Sequence, residues 1–171
     1  MRTILTLWLT VLLSACTADV EEYRQVTPDF DLFGYFQGNT KAWGMIQDYT
    51  KKQTRRFSVD LSGEVNGNTL VLVEDFIFDD GEKDQRIWTI ERQEDGRFTG
   101  EADDIIGQAV GIQVGNALQW KYDFLLKVDG SELEVHFDDW LYRQDERHVF
   151  NRTSIRKLGL EVAEVTIFFQ K

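Results

Sequence analysis

Leu118-Gln119-Trp120-Lys121-Tyr122-Asp123-Phe124-Leu125-Leu126-Lys127-Val128 places apolar residues at every even position and mostly polar ones at the odd positions. Successive side chains of an extended chain point to opposite faces. The stretch therefore reads as a β-strand with Trp120, Tyr122, Phe124 and Leu126 on one face and Gln119, Lys121, Asp123 and Lys127 on the other. Asp129-Gly130 follows, a pair suited to the positive φ of a tight hairpin, and then a second alternating run, Leu133, Val135 and Phe137 against Glu134, His136 and Asp138.

Working outward, the same pattern recurs. Asn66-Gly67, Asp80-Gly81, Asp95-Gly96, Gly115-Asn116 and Asp129-Gly130 stand at steps of 14, 15, 20 and 14 residues. Each of the shorter steps holds one strand and one turn; the long one contains residues 103–111, read as a loop or a bulged connection. Phe57, Val59 and Leu61 alternate with Ser58, Asp60 and Ser62, whereas Leu70 to Phe78 and Val165 to Phe169 are apolar on both faces. Residues 156–164 are open to a short helix or to entry into a last strand. About eight to ten hairpin-linked strands predict an all-β, antiparallel up-and-down barrel of the lipocalin type. A membrane-spanning barrel is disfavoured by Asp60, Lys121 and Asp123 on the expected outer face.

The N-terminus carries a different message. Arg2, the apolar run Ile4 to Leu13 and then Leu13-Ser14-Ala15-Cys16 have the layout of an export signal ending in a lipobox. The run would extend roughly 15 Å as a helix, too short to span a bilayer. Cys16 is the only cysteine, and acylation of its sulfur, with further chains such as palmitate, explains a lone thiol in an oxidising compartment. The expected division is a signal peptide at 1–15, an acidic tether at 16–28 and the barrel at 29–171. Thr17 in place of aspartate directs the expectation to the outer membrane of a Gram-negative envelope, facing the periplasm. Cleavage after Ala15 removes Arg2 and leaves 18 basic against 30 acidic residues. Such a surface repels nucleic acid and anionic head groups.

The segments Gly34-Tyr35-Phe36-Gln37-Gly38-Asn39-Thr40-Lys41-Ala42-Trp43-Gly44, Ala102-Asp103-Asp104, Gly115-Asn116-Ala117, Phe137-Asp138-Asp139-Trp140, Asn151-Arg152 and Gly159 to Phe169 together resemble the proteobacterial lipoproteins grouped as domain of unknown function 3833. The resemblance spans nearly the whole mature chain and implies a calycin barrel. It brings no activity and no catalytic residues, and the genes of such proteins often adjoin enzymes that modify membrane fatty acids. Ala163 departs from the glycine expected before the Glu-Val-Thr ending.

Candidate site residues follow from phase. Trp120, Tyr122, Phe124 and Leu126 are expected to line the interior, as core or as ligand contacts. Trp43, on a first strand, is expected to close the bottom of the barrel or to touch a ligand. Asp139 shares the phase of Phe137, Val135 and Leu133 and so points inward, where a carboxylate needs a partner; Arg152 is the candidate by type. That pair is expected either to hold a ligand's polar head or to serve the core. Asp103-Asp104 reads as a solvated turn, and Gly107, Gly111 and Gly115 as loop glycines. His136 and His148 lack the spacing of metal ligands and no serine lies in a nucleophile elbow, so neither cofactor nor metal is expected. Three functions stay open: a module binding a fatty acyl or other apolar ligand, an envelope scaffold, and an enzyme using Asp139, Asp104 or Glu164 on lipid-derived substrates.

Overall fold

The computed structural model describes residues 18–128 and 130–171. The signal segment and Cys16 lie outside the described residues. A 3-10 turn (Val20–Tyr23) and a five-residue helix α1 (Leu32–Phe36) precede ten strands. These are β1 (Gly38–Asp48), β2 (Gln53–Asn66), β3 (Thr69–Phe78), β4 (Lys83–Arg92), β5 (Phe98–Glu101), β6 (Ile105–Val114), β7 (Ala117–Val128), β8 (Ser131–Arg143), β9 (His148–Lys157) and β10 (Leu160–Gln170). Each strand pairs antiparallel with the next, and β10 returns to pair with β1, closing the barrel. Every strand has a partner on both sides, although the short β5 pairs with only residues 89–92 of β4. Among the described residues no helix is long and apolar enough to cross a membrane.

Asn66-Gly67, Asp80-Gly81, Asp95-Gly96 and Gly115-Asn116 sit at hairpins, and Gly130 lies between β7 and β8; Gly67, Gly81, Gly96, Gly115 and Gly130 all have positive φ. The stretch 103–111 resolves into a short turn and β6, whose register against β7 shifts between Ile106 and Val110. Gly111 is thus a strand residue facing inward, whereas Gly107, at the irregularity of β6, and Gly115, at the β6–β7 turn, have positive φ. Residues 156–164 form the β9–β10 hairpin, with Leu158 and Gly159 at its tip and a bulge beside Ala163.

The two ends of the cylinder differ. Helix α1 is capped by Asp31, whose carboxylate accepts from the Gly34 amide. It buries Leu32, Phe33, Tyr35 and Phe36 as a plug across one end. Gly63 of β2 permits this approach, since a Cβ there would stand 2.0 Å from the Phe36 carbonyl oxygen. The Lys171 ammonium reaches the carbonyls of Tyr35 and Gln37, and the Tyr35 hydroxyl donates to the Arg147 carbonyl at 2.9 Å. Burial raises the pKa of that hydroxyl to about 12.

Candidate functional site

Above the plug the interior is hollow. A cavity of about 760 Å³ runs from Leu32 and Phe36 at its floor to Arg55, Glu82, Asp84 and Asp103 at its rim. It opens at the end formed by the β1–β2, β3–β4, β5–β6, β7–β8 and β9–β10 turns. The size lies in the range of small-molecule sites, about 300–1,000 Å³.

The wall is layered, and the layers follow from strand phase. At the floor Phe98, Leu70, Leu118 and Val149 are fully buried. Trp120 lies flat across two missing side chains: a Cβ on Gly111 would meet its ring at 2.2 Å, and one on Gly100 at 2.5 Å. Toward the mouth the wall carries Phe57, Phe76, Phe78, Phe124, Phe137, Leu126 and Leu133. Their rings contact one another, with Phe76–Phe78 stacked at 6.1 Å and Phe124–Phe137 at 5.2 Å between centroids.

Between these layers lies a polar belt. Glu74 of β3 stands in register with Arg86 of β4, and Asp139 of β8 with Thr153 of β9. Nε and Nη2 of Arg86 each lie 2.8 Å from Asp104 Oδ2. The guanidinium carbon is 5.0 Å from the Phe124 ring centroid, within cation–π reach. The Thr153 hydroxyl donates to Asp139 and lies 3.0 Å from the Asn151 side-chain amide. The second oxygen of Asp104 is buried without a partner. Burial pushes the Glu74 carboxyl up to about 7, the charge of Arg86 opposing it and those of Asp139 and Asp104 adding to it. Burial likewise lifts Asp139 to about 6, against the hydrogen bond from Thr153 and the charge of Arg86. The Tyr122 phenol, also buried, is raised well above its usual value. Burial works against the Arg86 charge, but Tyr122, Glu74 and Asp104 outweigh it, and its pKa rises.

Several expectations change here. Trp43 does not close the barrel: it points outward, 43% exposed, and stacks on Phe168 at 6.4 Å. Its strand neighbour Ala42 is the buried one, and α1 supplies the closure. Arg152 is not the partner of Asp139. It lies one position out of phase with buried Asn151 and Thr153, on the outer face, with Nη2 3.4 Å from Glu164. Glu164 shares that outer face with Lys51, at 2.9 Å. Asp103 and Asp104 do form a turn, with Asp103 exposed, but Asp104 directs its carboxylate to the interior arginine. Trp120, Tyr122, Phe124, Leu126 and Asp139 do line the cavity. Glu74 and Arg86 were missed, although each occupies an inward phase among apolar residues, as Asp139 does. Among the described residues no group of three or more His, Cys, Asp or Glu converges as a metal site.

Fold and cavity together define a ten-stranded up-and-down barrel of the lipocalin-like type, hollow and open at one end. The chain belongs to the protein family of unknown function DUF3833, whose profile matches residues 10–171. No curated protein matches it.

Proposed function

We propose that the protein is an acyl-tethered barrel of the bacterial cell envelope that binds an elongated apolar ligand such as a fatty acyl compound. In this reading the chain of the ligand lies among the rings of the mouth half and its polar end rests at the Glu74–Arg86–Asp139 belt. The observation that carries it is the 760 Å³ cavity, walled by phenyl rings and interrupted by one polar layer. An apolar wall with a few placed polar groups is the usual make-up of a small-molecule site. Organic extraction of the Cys16→Ser protein followed by mass spectrometry tests this directly. A stoichiometric lipid-like species is expected; an empty extract, with no binding of alkyl probes, removes the reading.

The tether and its location rest on the Leu13-Ser14-Ala15-Cys16 stretch, with Thr17 favouring the outer membrane and the periplasmic side. Labelled palmitate is expected to mark the protein and to be lost in Cys16→Ser. Labelling that survives the substitution rejects the tether.

A second reading, acid–base chemistry on the bound lipid, is supported by two interior carboxyls poised near neutrality beside a tyrosine. It predicts that the wild-type protein and Asp139→Asn retain chemically different species. Identical extracts favour binding alone.

A further inference from the structure

We infer that the belt is built for a positively charged, hydrogen-donating head group, so that the preferred ligand is a cationic amphiphile such as a long-chain amine. The inference rests on the binding reading above and specifies the head chemistry of that same site.

Carboxyls outnumber cations on the wall of the cavity. Arg86 is the cation of the belt, and two of its nitrogens are already held by Asp104 at 2.8 Å. Glu74 and Asp139 line the same cavity and make no ion pair among the described residues. Asp139 has the Thr153 hydroxyl as a hydrogen-bond donor, and Trp88 and Tyr122 line the same cavity. Three carboxyls thus share one guanidinium, and Asp104 Oδ1 is a buried acceptor without a donor. An anionic head would find the Nε–Nη2 side of Arg86 taken by Asp104 and would have to sit beside Glu74 and Asp139 to reach the rest of the guanidinium. A head that brings donors and positive charge meets free acceptors instead.

The entrance points the same way. Glu82, Asp84 and Asp103 stand at the rim against Arg55. Arg55 is itself held by Asp80 at 2.8 Å and by Glu82 at 2.5 Å. The whole chain carries a net charge of −11. A low-dielectric cleft lined by one sign of charge concentrates ligands of the other sign. With Glu74 raised to about 7 and Asp139 to about 6, both are ionised at pH 8.5, where the contrast between heads is greatest.

Trp88 and Trp120 line the cavity, so a change in the intensity or wavelength of tryptophan emission reports occupancy. Dodecylamine, dodecanol and dodecanoic acid are titrated into the purified protein at pH 8.5 and 0.15 M salt. The amine is expected to bind at least tenfold more tightly than the acid, with the alcohol between them. Glu74→Gln combined with Asp139→Asn should narrow the amine-to-acid ratio to about threefold or less while dodecanol affinity holds. Should the double variant not fold, wild-type titrations of dodecylamine against dodecylsulfonate, both of which keep their charge from pH 5 to 8.5, serve instead: protonation of both carboxyls at pH 5 is expected to narrow that ratio. Dodecanoic acid binding as tightly as dodecylamine at pH 8.5, or a ratio indifferent to both the variant and pH, overturns the inference and leaves the binding module standing. Failure of all three probes to bind overturns both.

Discussion

The floor and the mouth of the barrel are built from the same strands and the same period-two alternation, yet one is solid and the other hollow. At the floor, α1 inserts four apolar side chains, and glycines at 63, 100 and 111 let rings and backbone approach closely. Toward the mouth no element enters, and the rings of Phe76, Phe78, Phe124 and Phe137 contact each other around open space. The contrast shows that inward phase specifies what faces the axis, whereas filling depends on what crosses it. Truncation should therefore cost far more at the floor. Phe98, 1% exposed, packs against Phe33 at 5.6 Å between centroids. Phe98→Ala is expected to lose about 3–5 kcal/mol in urea unfolding, the cost of a large core cavity. A loss similar to that of a mouth-ring truncation would break the comparison.

Overfilling the floor should come next. Gly111→Ala forces a methyl group to within 2.2 Å of the Trp120 ring unless the indole shifts. The expected loss is about 2–3 kcal/mol by denaturant melting, in the upper range for overpacked cores. A shift in tryptophan emission should accompany it. Unchanged emission would show that the ring is not seated on the glycines.

The belt sharpens the contrast in a different currency, protons. Glu74 is raised to about 7 and Asp139 to about 6, from ordinary values of 4.5 and 3.8. A carboxyl whose pKa is higher folded than unfolded binds more protons in the folded state across the interval between the two values. The stability these two groups contribute is therefore fully present below about pH 4, falls as pH rises to about 7, and is lost above that. Because the cavity admits solvent, each group is assigned on the order of 2 kcal/mol, below the roughly 3 kcal/mol that the full displacement implies. Glu74→Gln should be more stable than wild type at pH 8 and close to it at pH 4, measured by urea midpoints. A variant that is less stable at pH 8 would mean that Arg86 needs the Glu74 charge more than burial opposes it.

At the mouth itself, Phe124→Ala removes a ring that already borders open space, so the expected loss is about 1 kcal/mol, below the range for filled cores. Alkyl-probe affinity should fall several-fold, whereas Phe98→Ala should leave it nearly unchanged in the protein that remains folded. Equal effects of both truncations on affinity would place the ligand elsewhere.

The barrel was legible because hairpin glycines and alternation are local signals: Asn66-Gly67, Asp80-Gly81 and Leu118 to Val128 each carry their own meaning. The strand count and the ring-lined face followed from them. One of the three belt residues was legible too, since phase alone put Asp139 inside. The same rule, applied to Leu70-Leu72-Glu74-Phe76-Phe78 and Arg86-Trp88-Ile90, places Glu74 and Arg86 inside as well. In the first run the apolar residues of the opposite face masked the pattern. What phase cannot supply is partnership across the barrel. Arg86 meets Asp104 from a neighbouring loop, a contact set by closure and bulging rather than by sequence separation. The plug was hidden for a related reason. Leu32 to Phe36 is only five residues with a glycine in the middle, too short for helical periodicity to show.

The smallest effect tests the pairing that sequence suggested. Arg152 lies on the outer face of β9, with its side chain 66% exposed and 3.4 Å from Glu164, which also meets Lys51. An exposed pair of this kind contributes about 0–1 kcal/mol and is screened by salt. Arg152→Ala should therefore change stability by less than about 0.5 kcal/mol. It should also leave the decline in stability between pH 4 and 7 intact, because the interior carboxyls answer to Arg86 and Thr153. If instead Arg152→Ala altered that pH profile as Glu74→Gln does, the outer and inner faces of β9 would be exchanged. The register that joins Asp139 to Thr153 would then be one residue out.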